Sequence, residues 1–235
     1  MTRALAFFGA FNPPTVAHVE LARFALEQTG REAVVFVPSK SAYIAGEQGK
    51  DFAYGDGARL RMLRAIAATR PWMAVTDVEL CAPEQPRTYD TLCRLRDMGW
   101  DAALLLGSDK LPELEHGWLH VEQIAREFGF VCLTRGRDAV DRMLREDAYL
   151  CGLSPHIRVL ETPAALRDVS STEVRRRIAR MREIQRELAQ LVPEEALPLL
   201  CLCLSPCAAC PGGVAASGGH APAARERPAA ALPSF

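Results

Sequence analysis

Three short stretches of the chain place glycines, hydroxyls, an imidazole and a guanidinium where an anion could be held. The first is Phe7-Phe8-Gly9-Ala10-Phe11-Asn12-Pro13-Pro14-Thr15-Val16-Ala17-His18. An apolar run stops at Gly9, a turn stiffened by two prolines follows, and helical spacing begins at Thr15. Gly9 is expected to let a bulky anion approach the backbone. The free amides of a helix start, aided by the helix dipole, make an anion site. Thr15 and His18 lie three residues apart and so share a helix face. A hydroxyl, an imidazole and several amides then form a small cradle for a phosphate. A lone histidine reads as an ordinary surface residue. Here a glycine, an Asn-Pro-Pro turn, a threonine and a histidine meet at one strand-to-helix junction, which favours chemistry.

The second stretch is Val169-Ser170-Ser171-Thr172-Glu173-Val174-Arg175-Arg176-Arg177-Ile178. It is another loop-to-helix junction. Ser171 or Thr172 can cap the helix and present hydroxyls, with Arg175 in the first turn, a geometry suited to the outer phosphates of a triphosphate. Ser170 and Glu173 also have capping-box spacing, and that structural reading is compatible with the functional one. The third stretch, Gly107-Ser108-Asp109-Lys110, follows another apolar run.

The elements that carry these residues alternate in type. Apolar runs predict strands at 4–8, 33–37, 73–78, 102–106, 130–134 and 157–160. Helical spacing predicts helices over 15–28, 58–69, 89–98, 121–128, 138–149 and 171–191, with residues 39–57 read as a long polar loop. Such alternation implies an α/β fold, a Rossmann-like, doubly wound parallel sheet in a single domain. Ligands of such sheets bind beyond the carboxyl ends of the strands, where strand order reverses. That is where Gly9, Pro38-Ser39-Lys40, Gly107-Ser108-Asp109 and Thr134-Arg135-Gly136 fall.

The chain has 235 residues, 49% hydrophobic and 24% charged, and a net charge of −1. These values describe a globular protein, not a dedicated nucleic-acid binder, which would carry a basic excess. No apolar run is long enough to cross a bilayer, and the N-terminal run is too short for a signal peptide. A cytoplasmic protein is expected, with a homo-oligomer possible. After Pro198 the composition turns to Ala, Gly and Pro, with Arg225, Glu226 and Arg227 as the only charged residues. Residues 1–198 are therefore taken as the domain, and 199–235 as a low-complexity, disordered tail. Without those three residues the 28 basic and 29 acidic residues become 26 and 28, a charge of −2. Attraction for phosphate must then be local.

Cys81, Cys93, Cys132 and Cys151 are scattered and read as small apolar side chains of a reducing compartment. Cys201, Cys203, Cys207 and Cys210 cluster in the tail, with His220 beyond. They can be drawn as a zinc site, but Cys201-Leu202-Cys203 is too tight for a usual knuckle and no second Cys-x-x-Cys pair follows. No metal ligand is assigned.

The order of five segments carries a family resemblance over residues 4 to about 193. The first stretch resembles the nucleotidyltransferase signature Gly-x-Phe-x-Pro-x-(His/Thr)-x-x-His, in the form most similar to nicotinate and nicotinamide mononucleotide adenylyltransferases. Ala17 stands where the family often has Gly. The second stretch resembles the family's Ile-Ser-Ser-Thr-x-Ile-Arg. Arg87-Thr88-Tyr89-Asp90-Thr91-Leu92 resembles Tyr-Thr-x-Asp-Thr-Leu, with Arg87 in place of the first Tyr. Gly107-x-Asp109 and the placement of Trp118 before Phe130–Arg135 complete the set.

The resemblance implies transfer of AMP from ATP to nicotinate mononucleotide, giving deamido-NAD and pyrophosphate. His18 is expected on the transferring phosphate, Thr15 on the ATP phosphates, and Arg175 with Ser170, Ser171 and Thr172 on the leaving pyrophosphate. Gly9, Ala10, Phe11, Gly107, Asp109 and Arg135 are expected around ATP, Asp109 at the ribose or the metal shell. Lys40, Thr88 and Trp118 are expected around the mononucleotide, with Trp118 stacked on its base; the alternative for Trp118 is core packing. Mg²⁺ would be the cofactor, held by ATP and water. The partners would be ATP and a pyridine mononucleotide, with no nucleic acid and no membrane.

Three alternatives stay open. Nicotinamide mononucleotide could be preferred, since the Tyr43 loop and Glu127–Cys132 look closer to that type. The chain could be another nucleotidyltransferase, of phosphopantetheine or cytidylyl type. It could be a non-catalytic nucleotide-binding module. A class I aminoacyl-tRNA synthetase fragment is disfavoured by the missing lysine-rich signature.

Overall fold

A computed structural model describes residues 1–46, 54–135, 140–166, 171–188 and 190–191. Contacts divide the chain into Met1–Arg182 and Glu183–Phe235. In the second unit, Glu183–Leu188 is helical and Gln190 and Leu191 follow in a turn. The tail over 199–235, with its four cysteines, lies outside the described residues.

The elements run β1 (Thr2–Gly9), α1 (Val16–Thr29), β2 (Ala33–Pro38), α2 (Ser41–Gly46), α3 (Asp56–Ala67), β3 (Met73–Val75), α4 (Thr88–Asp97) and β4 (Trp100–Gly107). They continue with α5 (Leu114–Gly117), α6 (Val121–Glu127), β5 (Phe130–Leu133), α7 (Val140–Glu146), α8 (Ala148–Leu153), β6 (Ile157–Leu160) and α9 (Ser171–Leu188). All six strands are parallel, in the order β3-β2-β1-β4-β5-β6. The fold is the expected doubly wound sheet. Strand order reverses between β1 and β4, which opens the ligand crevice there.

Period-two alternation splits the core between the two faces of the sheet. Ala4, Ala6, Val35, Val37, Leu104 and Cys132 face α4 and α6. Leu5, Phe7, Val34, Phe36, Leu105 and Val131 face α1 and α3. The apolar runs of β1, β2 and β4 are therefore buried on both sides, as parallel strands under crossover helices must be. Phe7 pairs with Leu105, so Gly9 and Gly107 end adjacent strands at the same level, two residues on.

Several expected boundaries shift for local reasons. Within 39–57, Ser41–Gly46 is helical, because Ile44 is fully buried and Asp56 Oδ1 accepts the Ser41 N–H at 2.7 Å. The helix expected over 138–149 is interrupted at Asp147, whose carboxylate caps α8 by accepting the Leu150 N–H at 2.9 Å. Ser108–Glu113 forms a 3-10 turn that runs into α5, an element without a sequence signal. β3 is only three residues long, and α9 ends at Leu188.

Candidate active site

The loop from β1 to α1 is set by its own aromatic and amide side chains. Phe11 adopts φ 42°, a left-handed conformation, and its side chain is 1% exposed. Its ring packs against Phe7, Phe36 and His18 at centroid distances of 5.4, 5.4 and 5.2 Å. A Cβ on Gly9 would stand 3.1 Å from the Phe11 ring. The side chain missing at Gly9 therefore makes room for the Phe11 ring, a second reason for glycine at this position beside the one expected from the sequence. Phe11 can offer a ligand only its backbone. The Asn12-Pro13 peptide is cis, and buried Asn12 accepts the Tyr54 N–H on Oδ1 at 2.8 Å.

Thr15 is the N-cap of α1, and His18 occupies the third helical position. The two close a reciprocal capping box in which histidine takes the place of the usual Glu or Gln. The Thr15 N–H donates to His18 Nδ1 at 3.0 Å, and the Thr15 hydroxyl lies 2.7 Å from the same nitrogen. The His18 N–H donates to Thr15 Oγ1 at 3.4 Å. An Nδ1 that accepts from an amide carries a lone pair, so the neutral ring holds its proton at Nε2. The cap thus fixes both the direction and the tautomer of the imidazole.

The start of α9 is docked on the same loop. Ser171 Oγ donates to the Pro13 carbonyl at 2.9 Å. Arg175 donates through Nη1 to the Asn12 carbonyl at 2.8 Å and through Nη2 to Thr172 Oγ1 at 3.1 Å. Two motifs more than 150 residues apart in sequence therefore meet on two consecutive carbonyls. Ser170, and with it the capping box expected with Glu173, lies outside the described residues.

A further clamp was invisible in the motifs. The Arg59 side chain is fully buried and donates to the carbonyls of Tyr54, Ala10 and Ser39 at 3.0, 2.6 and 2.5 Å. It also pairs with Asp56 Oδ1 at 2.7 Å. Burial lowers its proton affinity and the Asp56 carboxylate opposes that shift. One guanidinium thus ties the ends of β1 and β2 to the start of α3.

On the other side of the switch point, Gly107, Asp109 and Arg135 form one unit. Arg135 Nε is 3.1 Å from Asp109 Oδ1, and the Arg135 N–H donates to Ser108 Oγ at 2.7 Å. A Cβ on Gly107 would lie 2.4 Å from Asp109 Oδ1 and 2.7 Å from Arg135 Nε, so this pairing requires glycine. Both side chains are about half exposed, and either can turn to a ligand at little cost.

The third wall is built around a buried carboxyl. Glu79 is 2% exposed and accepts from Gln85 Nε2 at 2.5 Å and Thr91 Oγ1 at 3.0 Å. Burial raises its pKa to about 7 against the pull of hydrogen bonds from Gln85, Thr91 and Ser39. Gln85 Oε1 accepts the Lys40 N–H at 2.9 Å. Lys40 Nζ donates to the carbonyls of Leu80 and Ala82 at 2.9 and 2.5 Å, so its ammonium first of all staples this loop. Thr88 opens α4. Trp118 is half-buried and packs on the α4–α6 face of the core. The rings of Tyr89 and His120, 5.3 Å apart, bring the start of α4 beside the Trp118 stretch.

With this geometry in place, comparison with known proteins is decisive. A family model described as cytidylyltransferase-like matches residues 6–177. A probable nicotinate-nucleotide adenylyltransferase of Neisseria meningitidis serogroup C is 32% identical over 179 residues, 74% of this chain and 85% of that protein. The chain belongs to the cytidylyltransferase-like family, in its nicotinate-nucleotide adenylyltransferase branch. It is a nucleotidyltransferase. A probable nicotinate-nucleotide adenylyltransferase of Exiguobacterium sibiricum is 28% identical over 194 residues, 82% of this chain and 92% of that protein. A Plasmodium falciparum nicotinic acid mononucleotide adenylyltransferase, solved with NaAD, shares the fold with a TM-score of 0.57 at 19% identity. That match covers 75% of this chain and 83% of the other.

For this nucleotidyltransferase the described residues sort into three groups. Thr15 and His18 cap each other at the start of α1, while Ser171 and Arg175, with Thr172 bonded to Arg175, reach the Pro13 and Asn12 carbonyls of the loop that leads into it. Asp109 and Arg135 pair across the crevice, while Lys40, Thr88 and Trp118 lie on the flank built by Glu79. Arg59 and Glu79 were missed. The one signal for Arg59 was an arginine among Leu60, Leu63 and Ala67 on a helix otherwise read by its apolar positions. Nothing in the sequence singled out Glu79. Among the described residues, no three His, Cys, Asp or Glu side chains converge as a metal site. Among the described residues, Cys81, Cys93, Cys132 and Cys151 form no disulfide. No described helix is long and apolar enough to cross a membrane.

Proposed function

We propose that the chain transfers AMP from ATP to nicotinate mononucleotide, releasing pyrophosphate and forming deamido-NAD. The observation that carries this reading is the joining of two phosphate-type helix starts on the Asn12 and Pro13 carbonyls, at the point where strand order reverses. The activities for which the relatives are named narrow it to pyridine mononucleotides.

In this reaction a phosphate oxygen of the mononucleotide attacks the α-phosphorus of ATP, and the bond from that phosphorus to the β-phosphate oxygen breaks. The attacking oxygen is already ionised near neutral pH, so no general base is needed. Positioning and charge stabilisation supply the rate. In our reading His18 donates its Nε2 proton as a hydrogen bond to the transferring phosphate. Thr15 and the amides of α1 hold the ATP phosphates. Ser171, Thr172 and Arg175, together with Ser170, receive the leaving pyrophosphate. Asp109 and Arg135 separate to meet the nucleotide, with the backbones of Gly9, Ala10, Phe11 and Gly107 lining its path.

Lys40 has one ammonium N–H beyond its two carbonyl partners for the mononucleotide phosphate. Thr88 reads the pyridine substituent and Trp118 stacks on its ring. Mg²⁺ would screen the triphosphate charge, bound by ATP and water with Asp109 as the nearby carboxylate, which suits a cation that keeps most of its waters.

Pyrophosphate release from ATP, measured with a panel of co-substrates, tests the reading. Release with nicotinate mononucleotide, and more slowly with nicotinamide mononucleotide, is expected. Release only with phosphopantetheine or choline phosphate, or none with any co-substrate, would overturn it.

A further inference from the structure

The amino ends of the strands, opposite the crevice, hold a cavity of about 330 Å³. That lies at the small end of the range for small-molecule sites. Arg3 lies near the start of β1 (Thr2–Gly9) and Gly9 ends it, so the cavity and the crevice are about 20 Å apart, six residues of strand. Arg3, Arg31, Arg158 and His156 line the cavity, and no carboxylate does. Apart from Thr29, the rest of its wall is apolar, with Phe128 and Ile157 prominent. In a domain whose overall charge is slightly negative, three guanidiniums at one opening are a marked local exception.

Each guanidinium is anchored along one edge by backbone. Arg31 Nη1 donates to the carbonyls of Ala4 and Asp101 at 3.0 and 2.9 Å. Arg3 donates to the Gly30 carbonyl at 3.2 Å, and Arg158 to that of Gln28. An arginine has five N–H donors, and these bonds use only part of them. The nearby acids are exposed: Asp101 attracts Arg31, and Glu32 stands 3.8 Å from Arg3. Burial lowers the proton affinity of Arg31, Asp101 opposes this, and Arg3 and Arg158 lower it further. The three positive charges therefore feel one another. Held charges that repel, with unused donors around an apolar wall, are pre-organised for an anion. Gly129 keeps the wall open, since its φ of 73° excludes most side chains.

We propose that this cavity is a second binding site, for a phosphate monoester that carries an apolar or aromatic group, of the size of a nucleoside monophosphate. The phosphate sits among Arg3, Arg31 and Arg158, and the apolar group lies against Phe128 and Ile157. The site is separate from the crevice and stands whether or not the proposed reaction is right.

The test is calorimetry of the full chain with AMP, inorganic phosphate and adenosine. AMP is expected to bind at two places. Arg158→Glu should weaken one event at least tenfold, while pyrophosphate release from ATP stays within twofold of wild type. His18→Ala should leave that event unchanged. Arg158 is exposed, so its replacement should not unfold the chain; Arg3→Glu, also at an exposed position, should give the same loss. Unchanged AMP binding in both variants overturns the proposal. Adenosine binding as tightly as AMP at this site would overturn the anion seat, and phosphate binding as tightly as AMP would overturn the apolar half.

Discussion

The crevice has two flanks that are held in place by different means. The flank proposed for ATP is held by the same residues that are proposed to touch it. Thr15 and His18 cap each other, and Ser171 and Arg175 reach across to the Asn12–Pro13 loop. The flank proposed for the mononucleotide is held from behind, by Arg59 and Glu79, buried groups that fix Ser39, Lys40, Gln85 and Thr91, with Arg59 also reaching the Ala10 carbonyl at the end of β1. On the first flank, binding and architecture share one set of side chains. On the second the buried pair does most of the framing, and of the residues proposed to bind only Lys40 also staples its own loop. Damage to the first flank should appear mainly in turnover, and damage to the second in affinity or stability.

The largest expected effect is that of His18→Ala. Removing one donor to a developing charge lowers kcat about 10²–10³-fold. The lost half of the capping box costs only about 1 kcal/mol of stability, so circular dichroism should still show a folded chain. Near-normal turnover in a folded variant would break the comparison at its first term.

Glu79→Gln comes next and probes the second flank. Burial raises the Glu79 carboxyl from an ordinary 4.5 to about 7. Between those values the folded chain keeps a proton that the unfolded chain has lost. Its contribution to stability is therefore whole below pH 4.5 and gone above pH 7, a swing on the order of 3 kcal/mol. Denaturant melts of the wild type should weaken across this window more than those of the variant. Equal slopes would show that Glu79 stays ionised.

Arg175→Ala should lower kcat/KM by about 10–100-fold, the weight of a charge-assisted hydrogen bond. Arg175→Lys should recover only part of this, because lysine cannot bridge the Asn12 carbonyl and Thr172 together. Full recovery would reduce Arg175 to a point charge. The smallest effect is expected from Trp118→Ala: a KM for the mononucleotide raised about tenfold with kcat little changed, the loss of one base-stacking contact. An unchanged KM would return Trp118 to core packing alone.

The same contrast explains how much was legible in the sequence. Parallel strands buried on both faces are continuous apolar runs, and all six were found, with β6 matched over 157–160. Thr15, His18, Ser171 and Arg175 were legible because helix starts have fixed spacing. The packing of Phe11 against Gly9 was not, because Phe11 folds back over it only in three dimensions. Arg59 and Glu79 were hidden for a related reason. Their partners are backbone carbonyls and side chains from other elements, and a buried charge has no local pattern in sequence. The helix Ser41–Gly46 was masked by its polar flanks, and depends on Asp56, fifteen residues away from Ser41.

The central claim is that the mononucleotide phosphate itself attacks ATP at the α-phosphorus. It is tested most directly by supplying nicotinate mononucleotide with oxygen-18 in its phosphate and following the label by mass spectrometry. The account predicts that all the label stays in the dinucleotide, one atom as the bridge between its phosphates, and none in pyrophosphate. Label in the pyrophosphate, or AMP released in place of a dinucleotide, would contradict it.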